Sequence, residues 1–395
     1  MRPFRLRAVC KDYLWGGTRL KAWGKGEDLD HVAGRMEAMV PPPGIPSGHR
    51  QPDRPDAALP PGVAPVPCGY MPGRLARASG KRPALPSGTA DRPDAALPPG
   101  VRMPGRLAES WELAAHPDGD SVVLDGPCAG WTLSQIAAEH PEAVSPDYQP
   151  GSPFPLMVKL IDAKLPLSIQ VHPDDTYAAR EEGGRGKTEM WTILDHEPGA
   201  FLYLGFQREV SREELEQAIT KGTLPGLLRR VEVHRGESFF IPAGTIHAIG
   251  GGILLAEVQE SSNLTYRVFD YNRLGPDGKP RPLHIEKALA VTQGKPADPT
   301  PPGAEAPRAV PGGTMEVLAR CPQFRAGLLR LDGQWESAPQ GSFLSLLCLE
   351  GNAALTQDGL SLEAKRGTCL FVPADAGPFA LTSGQAGAKF LLTSA

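Results

Sequence analysis

The stretch Gly236-Glu237-Ser238-Phe239-Phe240-Ile241-Pro242-Ala243-Gly244-Thr245-Ile246-His247 reads as a strand, a turn and the start of a second strand. Gly236 opens the first strand, Pro242 and Gly244 shape the turn, and His247 points inward from the strand that follows. Upstream, Leu167-Ser168-Ile169-Gln170-Val171-His172-Pro173-Asp174-Asp175 is a short strand that stops at a proline. Side chains on a strand alternate faces, so Ser168, Gln170 and His172 point one way and Leu167, Ile169 and Val171 the other. The apolar set suits a core. The polar set brings an amide oxygen and an imidazole side by side toward a cavity. Lys187-Thr188-Glu189 repeats the alternation and adds a carboxylate beside an ammonium. Gln170, His172, Glu189 and His247 together form a mixed nitrogen and oxygen set for one divalent metal, open to water or substrate as a catalytic zinc site is.

At 395 residues the chain has room for two or more domains. A net charge of −4, with no basic-aromatic interleaving, argues against a nucleic-acid partner. The charged start, Met1 to Arg7, is followed by no apolar run, which argues against a signal peptide. No apolar segment approaches the roughly 18–20 residues of a membrane span. The six cysteines form no CxxC pair, as expected of reduced thiols in a cytoplasmic protein. No obligate protein partner is evident.

Residues 33–107 stand apart. They hold 17 Pro and 10 Gly in 75 positions, above the roughly 25–30% at which an aperiodic segment reads as disordered. The tract also repeats itself: Asp53–Val63 recurs as Asp91–Val101, and Met71–Ala76 as Met103–Ala108. Cutting it out would join Asp30-His31-Val32 to Ala108-Glu109-Ser110-Trp111-Glu112 without a break in strand pattern. It is therefore expected to be an insertion, tolerated because loop-closure entropy grows only logarithmically with length.

Elsewhere, 131–140 predicts a short helix ended by Pro141, and Pro155–Leu165 a buried strand carrying Lys159. Ser211 with Glu214 three residues on predicts a helix start, and the helical segment runs over about 211–230. His284 to Ala290 predicts a last short helix. Residues 294–313 read as a linker, and 314–395 as a run of short strands with regular turns.

The Gly236-x5-Pro242-x-Gly244-x2-His247 spacing resembles the second motif of the cupin superfamily, whose members are jelly-roll β-barrels. The family's usual asparagine four residues past the histidine is Gly251 here. A faded copy follows: Gly367-x5-Pro373 is kept, but Asp375 replaces the second glycine and Pro378 the histidine. The fold class expected is mainly β: two cupin-type barrels, a small helical insertion, and the Pro/Gly-rich insertion near the N-terminus. The domains expected are a catalytic barrel at 1–32 and 108–293, the tract at 33–107, a linker at 294–313, and a metal-free barrel at 314–395.

Many metal-binding cupins carry His-x-His where this chain has Gln170-x-His172. That change, with Lys187-x-Glu189 and Asn263-Leu264-Thr265-Tyr266-Arg267-Val268-Phe269-Asp270, resembles type I mannose-6-phosphate isomerase, closest to the short bacterial forms. Trp15-Gly16-Gly17, Glu109-Ser110-Trp111-Glu112 and His116-Pro117 are also similar to that family. The resemblance implies reversible conversion of mannose 6-phosphate to fructose 6-phosphate with one zinc. It places the zinc ligands on Gln170, His172, Glu189 and His247, and the catalytic arginine on Arg267. Glu257 and Lys187 match pocket residues, and either of them or a metal-bound water would shuttle the proton. Ser168, Lys159 and Arg267 are the expected phosphate partners. The competing readings are an iron-dependent cupin oxygenase, which would favour a second histidine at position 170, and a non-catalytic sugar-binding cupin, which would be expected to have lost ligands or Arg267.

Overall fold

The computed structural model describes residues 1–13, 15–25, 106–274 and 278–395. The tract at 33–107 lies outside the described residues except for Arg106 and Leu107, as does the expected join at 30–32. Leu107 is fully buried, and its N–H donates to Gly17 O at 2.8 Å. That residue belongs to the packed core rather than to the tract.

The fold is mainly β. The first barrel is built from two antiparallel sheets. A five-stranded sheet runs in the order Leu228–Glu232, Phe201–Phe206, His247–Ile249, Ile169–Val171, Tyr266–Phe269. A six-stranded sheet runs Ser238–Ile241, Glu189–His196, Ile253–Glu260, Leu156–Ala163, Glu109–Leu113, Val9–Lys11. Their facing side chains, among them Ile161, Trp191 and Leu255 from one and Leu202, Leu204 and Ile249 from the other, share one apolar cluster.

The six-stranded sheet is buried on both faces, which explains the unbroken apolar runs of its central strands. Leu156, Val158, Leu160, Met190, Leu194, Leu254, Ala256 and Val258 pack with residues of the second barrel such as Leu318, Phe343 and Leu391. The alternate positions, Lys159, Glu189, Trp191, Glu257 and Gln259, turn to the inside of the first barrel. A strand that looks uniformly apolar in sequence thus separates a dry interface from a polar cavity.

Outside the five-stranded sheet lie the helices Arg212–Thr220 and Ile285–Val291. Their Leu215, Ile219, Ala288 and Leu289 cover Ile169, Val171, Tyr266 and Val268. The expected cap is present, with Ser211 accepting from Glu214 N at 3.2 Å. Leu133–Glu139 is likewise closed by a Thr132–Gln135 capping box. Residues after Leu227 leave the helical segment and form the Leu228–Glu232 strand. Asp174 caps a further helix, Asp175–Glu181, by accepting from Tyr177 N at 2.8 Å. Only Ala178 of that helix is buried, so no apolar periodicity announces it.

The second barrel belongs to a ten-stranded sheet system with a largely apolar interior, including Leu329, Trp335, Leu355, Phe379 and Phe390. Two features differ from the sequence boundaries. Phe4–Arg7, assigned to the first barrel from its position, pairs with Cys369–Val372 of the second, with Phe4 opposite Phe371. The chain then crosses to the first barrel at Val9–Lys11. Arg5 fixes the crossing through a forked ion pair with Asp125, at 2.7 and 3.0 Å. Within the presumed linker, Glu305–Val310 forms a strand against Gly313–Arg320. Its residues are largely exposed, so composition alone reads as a linker.

Trp15-Gly16-Gly17 brings the N-terminal turn close to the sheet. A side chain at Gly16 would stand 2.7 Å from Ala108 N, and one at Gly17 would collide with the Asp162 carboxylate that binds Arg19. Among the described residues, Cys128, Cys321, Cys348 and Cys369 are free thiols. No described helix is long and apolar enough to cross a membrane.

Candidate metal centre and active site

Strand register assembles one half of the site. Leu204, His247, Gln170 and Arg267 are successive partners across the five-stranded sheet. Directly opposed residues in antiparallel strands project to the same face, so the imidazole, the amide and the guanidinium stand in one row. The six-stranded sheet supplies the other half. Trp111, Lys159, Glu257 and Trp191 form a row there, and Glu189 lies one step along, beside Gln259.

His172 and His247 are held alike. His172 Nδ1 lies 2.7 Å from Leu264 O, and His247 Nδ1 lies 2.9 Å from Thr245 O. A carbonyl only accepts, so each ring donates from Nδ1 and turns the lone pair of Nε2 inward. Burial pushes the His172 imidazolium well below its usual range, with Lys187 and His247 adding to the effect. Burial likewise drives His247 down to about 4. Both rings are neutral, as metal ligation requires.

Glu189 meets both inward nitrogens. Oε1 is 3.2 Å from His247 Nε2, and Oε2 is 3.6 Å from His172 Nε2. All three side chains are buried, and one ligand atom from each lies within 4.8 Å of the others. Glu189 Oε1 accepts no hydrogen bond. Two lone pairs and a carboxylate facing one another out of water repel unless a cation sits between them. The backbone carbonyls behind each imidazole are the outer support such ligands use. The donor set therefore fits a divalent metal. Gln170 Nε2 lies 3.4 Å from His247 Nε2, and Ser168 Oγ donates to Gln170 Oε1 at 3.4 Å. The two ends of the amide are near-identical in shape, and turning it over presents the oxygen to the same cluster.

Charges alternate beside this cluster. Lys187 Nζ is 2.6 Å from Glu189 and 3.8 Å from Glu257. Lys159 Nζ is 3.5 Å from Glu257 and 3.9 Å from Glu109, and lies over the Trp111 ring at 4.7 Å. Burial works against the Glu257 carboxylate, yet Lys187, Lys159 and the Trp191 indole N–H at 2.9 Å hold its pKa below the ordinary value. Burial also opposes the Lys187 ammonium, and Glu189 with Glu257 overcomes it, raising its pKa. Burial raises Glu189 against the pull of Lys187.

Among the described residues, no carboxylate forms an ion pair with Arg267. Its Nη1 donates to Pro282 O at 3.1 Å, while its Nε is buried without a partner. Burial lowers its pKa, and Arg281 adds to this. Asp270, the carboxylate nearest in sequence, is instead committed to Arg273 at 2.5 Å and Arg281 at 2.6 Å.

The family described as phosphomannose isomerase type I, catalytic domain, matches residues 89–197. The mannose-6-phosphate isomerase cupin domain matches 315–388. A probable mannose-6-phosphate isomerase of Bacillus subtilis is 37% identical over 279 residues, covering 70% of this chain and 86% of that protein. The chain belongs to the type I mannose-6-phosphate isomerase family. The crystal structure of a mannose 6-phosphate isomerase from Bacillus subtilis superposes with a TM-score of 0.73 at 28% identity, covering all of both chains. A zinc-bound mannose 6-phosphate isomerase shares the fold, with a TM-score of 0.57 at 20% identity over 75% of this chain and 93% of that one.

In this isomerase the structure brings Gln170, His172, Glu189 and His247 together, with Arg267 in the same row as Gln170 and His247. Lys187 and Glu257 stand beside Glu189. Of the three expected phosphate partners, Arg267 lies on Tyr266–Phe269 of the five-stranded sheet and Ser168 immediately precedes its Ile169–Val171 strand. Lys159 lies on the opposite sheet, between Glu257 and Glu109. Sequence reasoning passed over Trp191 and Glu109 as charge partners, although Trp191 is two residues past Glu189 on the same alternation. It could not find the Leu264 and Thr245 carbonyls, because backbone acceptors carry no residue signature.

Gly186 joins the two halves of the site. Its N–H donates to Asp175 Oδ1 at 2.8 Å, and Lys187 N donates to Pro173 O at 3.0 Å. A Cβ at Gly186 would lie 2.5 Å from Asp174 C and Asp175 N, against backbone that cannot swing aside. Gly186→Ala is expected to cost about 1–3 kcal/mol of stability by overpacking. It should also lower kcat by displacing Lys187 and Glu189. Thermal melts and isomerase assays of the variant check this, and unchanged values in both would contradict the packing argument.

Proposed function

We propose that this isomerase interconverts mannose 6-phosphate and fructose 6-phosphate through an enediol, with one zinc held by His172, Glu189, His247 and Gln170. The observation that supports the reading is the convergence of two imidazoles and a carboxylate oxygen without a hydrogen bond, with Arg267 in the same cross-strand row as His247 and Gln170. When bound, zinc would supply Lewis-acid polarisation of the sugar's O1 and O2. Arg267 sets a fixed positive charge on the cavity wall, directed at the enediolate or the phosphate. Ser168, adjoining Gln170, offers a hydroxyl to the substrate on that same sheet. Glu257, held as a carboxylate by two ammonium groups, can take the C2 proton and return it to C1, and Lys187 between Glu189 and Glu257 can give a proton to O1 and regain one from O2. Lys159 is the counter-charge that keeps Glu257 in its anionic form. Together these groups account for moving a proton between C1 and C2 while charge forms on the adjacent oxygens.

The deciding experiment is a coupled assay with mannose 6-phosphate before and after metal stripping, followed by restoration with zinc. Turnover lost on stripping and recovered with one equivalent of zinc is expected. Full turnover in the stripped enzyme, or oxygen uptake with iron in place of isomerisation, would reject the reading.

A further inference from the structure

The geometry points to His284 as a positioning residue for Arg267, one that fixes the strand so that the guanidinium is held in the cavity. This rests on the catalytic reading of Arg267 above. Tyr266–Phe269 is the edge strand of its sheet, so one side of its backbone has no strand beside it. His284 occupies that side at Arg267. Arg267 N–H donates to His284 Nδ1 at 3.1 Å, and His284 N–H donates to Arg267 O at 2.8 Å. Two residues earlier in the same segment, Pro282 O accepts from Arg267 Nη1 at 3.1 Å. Residues 282–284 therefore grip both the backbone and the side chain of one arginine.

The grip is mounted on packed structure. His284 is the N-cap residue of Ile285–Val291, whose Ala288 and Leu289 are buried against the five-stranded sheet. Its side chain makes no capping bond to that helix, so the imidazole is committed to Arg267 instead. The ring also sits against Tyr266, with centroids 6.2 Å apart. Tyr266 is itself tied through its hydroxyl to Glu182 at 2.7 Å, and Glu182 binds Lys287 on the same helix at 2.7 Å. An accepting Nδ1 must be unprotonated. Burial, Arg267 and Lys287 all favour that state, with Glu182 opposing.

The test compares kcat, KM and zinc content in His284→Leu, His284→Asn, Arg267→Met and the double variant His284→Leu/Arg267→Met. Leucine removes the acceptor, whereas the asparagine Oδ1 takes the place of Nδ1. His284→Leu should lower kcat about tenfold, the scale of one lost hydrogen bond, with KM and zinc content near wild type. His284→Asn should stay within about threefold of wild type, and the double variant should be no slower than Arg267→Met alone. The positioning role is overturned by wild-type kcat in His284→Leu, by a tenfold loss in folded His284→Asn, or by a full additional loss in the double variant. If Arg267→Met itself turns over normally, the reading of Arg267 falls and the role of His284 with it. A slow Arg267→Met beside a normal His284→Leu removes only the latter.

Discussion

His247→Ala is expected to lose metal and turnover together. His247 is fully buried, and its Nε2 stands 3.2 Å from Glu189 Oε1. Alanine leaves the cavity with one imidazole, one carboxylate and the Gln170 amide. Structural zinc sites bind with about 10–16 kcal/mol shared over four ligands, so removing one weakens binding by roughly 3 kcal/mol, about 10²–10³-fold. Zinc content after dialysis and kcat in the coupled assay give the result. Chelator should lower the melting temperature of the wild type and leave that of the variant unchanged, since only the former has bound metal to lose. A variant that keeps stoichiometric zinc and full turnover would remove His247 from the ligand set.

The second large effect runs in opposite directions for activity and stability. Arg267→Met should lower kcat by about 10²–10³, the scale reported for removing a preorganised charge from a developing oxyanion. Zinc content should not change. The melting temperature should hold or rise. Burial and Arg281 already oppose the Arg267 charge, its Nε lacks a partner, and Asp270 is spent on Arg273 and Arg281. An uncompensated half-buried cation costs the fold, and an apolar side chain of similar length relieves that cost. A marked loss of stability with little loss of kcat would make Arg267 a structural residue.

The pattern of polar residues within apolar strands was readable without coordinates. Ser168, Gln170 and His172 alternate with Leu167, Ile169 and Val171, and period-two alternation has one structural solution when one face is covered. The Pro242, Gly244 and His247 spacing and the Ser211 cap are equally local. Where the chain departed from expectation, the missing information was non-local. Phe4 and Leu6 specify a strand with an apolar face, but nothing in them says which barrel's edge it joins. Glu305–Val310 is an exposed strand whose composition matches a linker.

By itself the sequence determined the barrel type and the family, and it singled out the candidate donors Gln170, His172, Glu189 and His247. Residue identity and short spacing decide those, and both are written along the chain. Only the tertiary structure decided that, among the described residues, no carboxylate forms an ion pair with Arg267, that Lys159 serves Glu257 from the neighbouring strand of the same sheet, and that His284 holds the edge of the arginine's strand. Each depends on which of several similar charges lie within about 4 Å of one another. Strand register between distant segments sets that distance, and no local propensity encodes it.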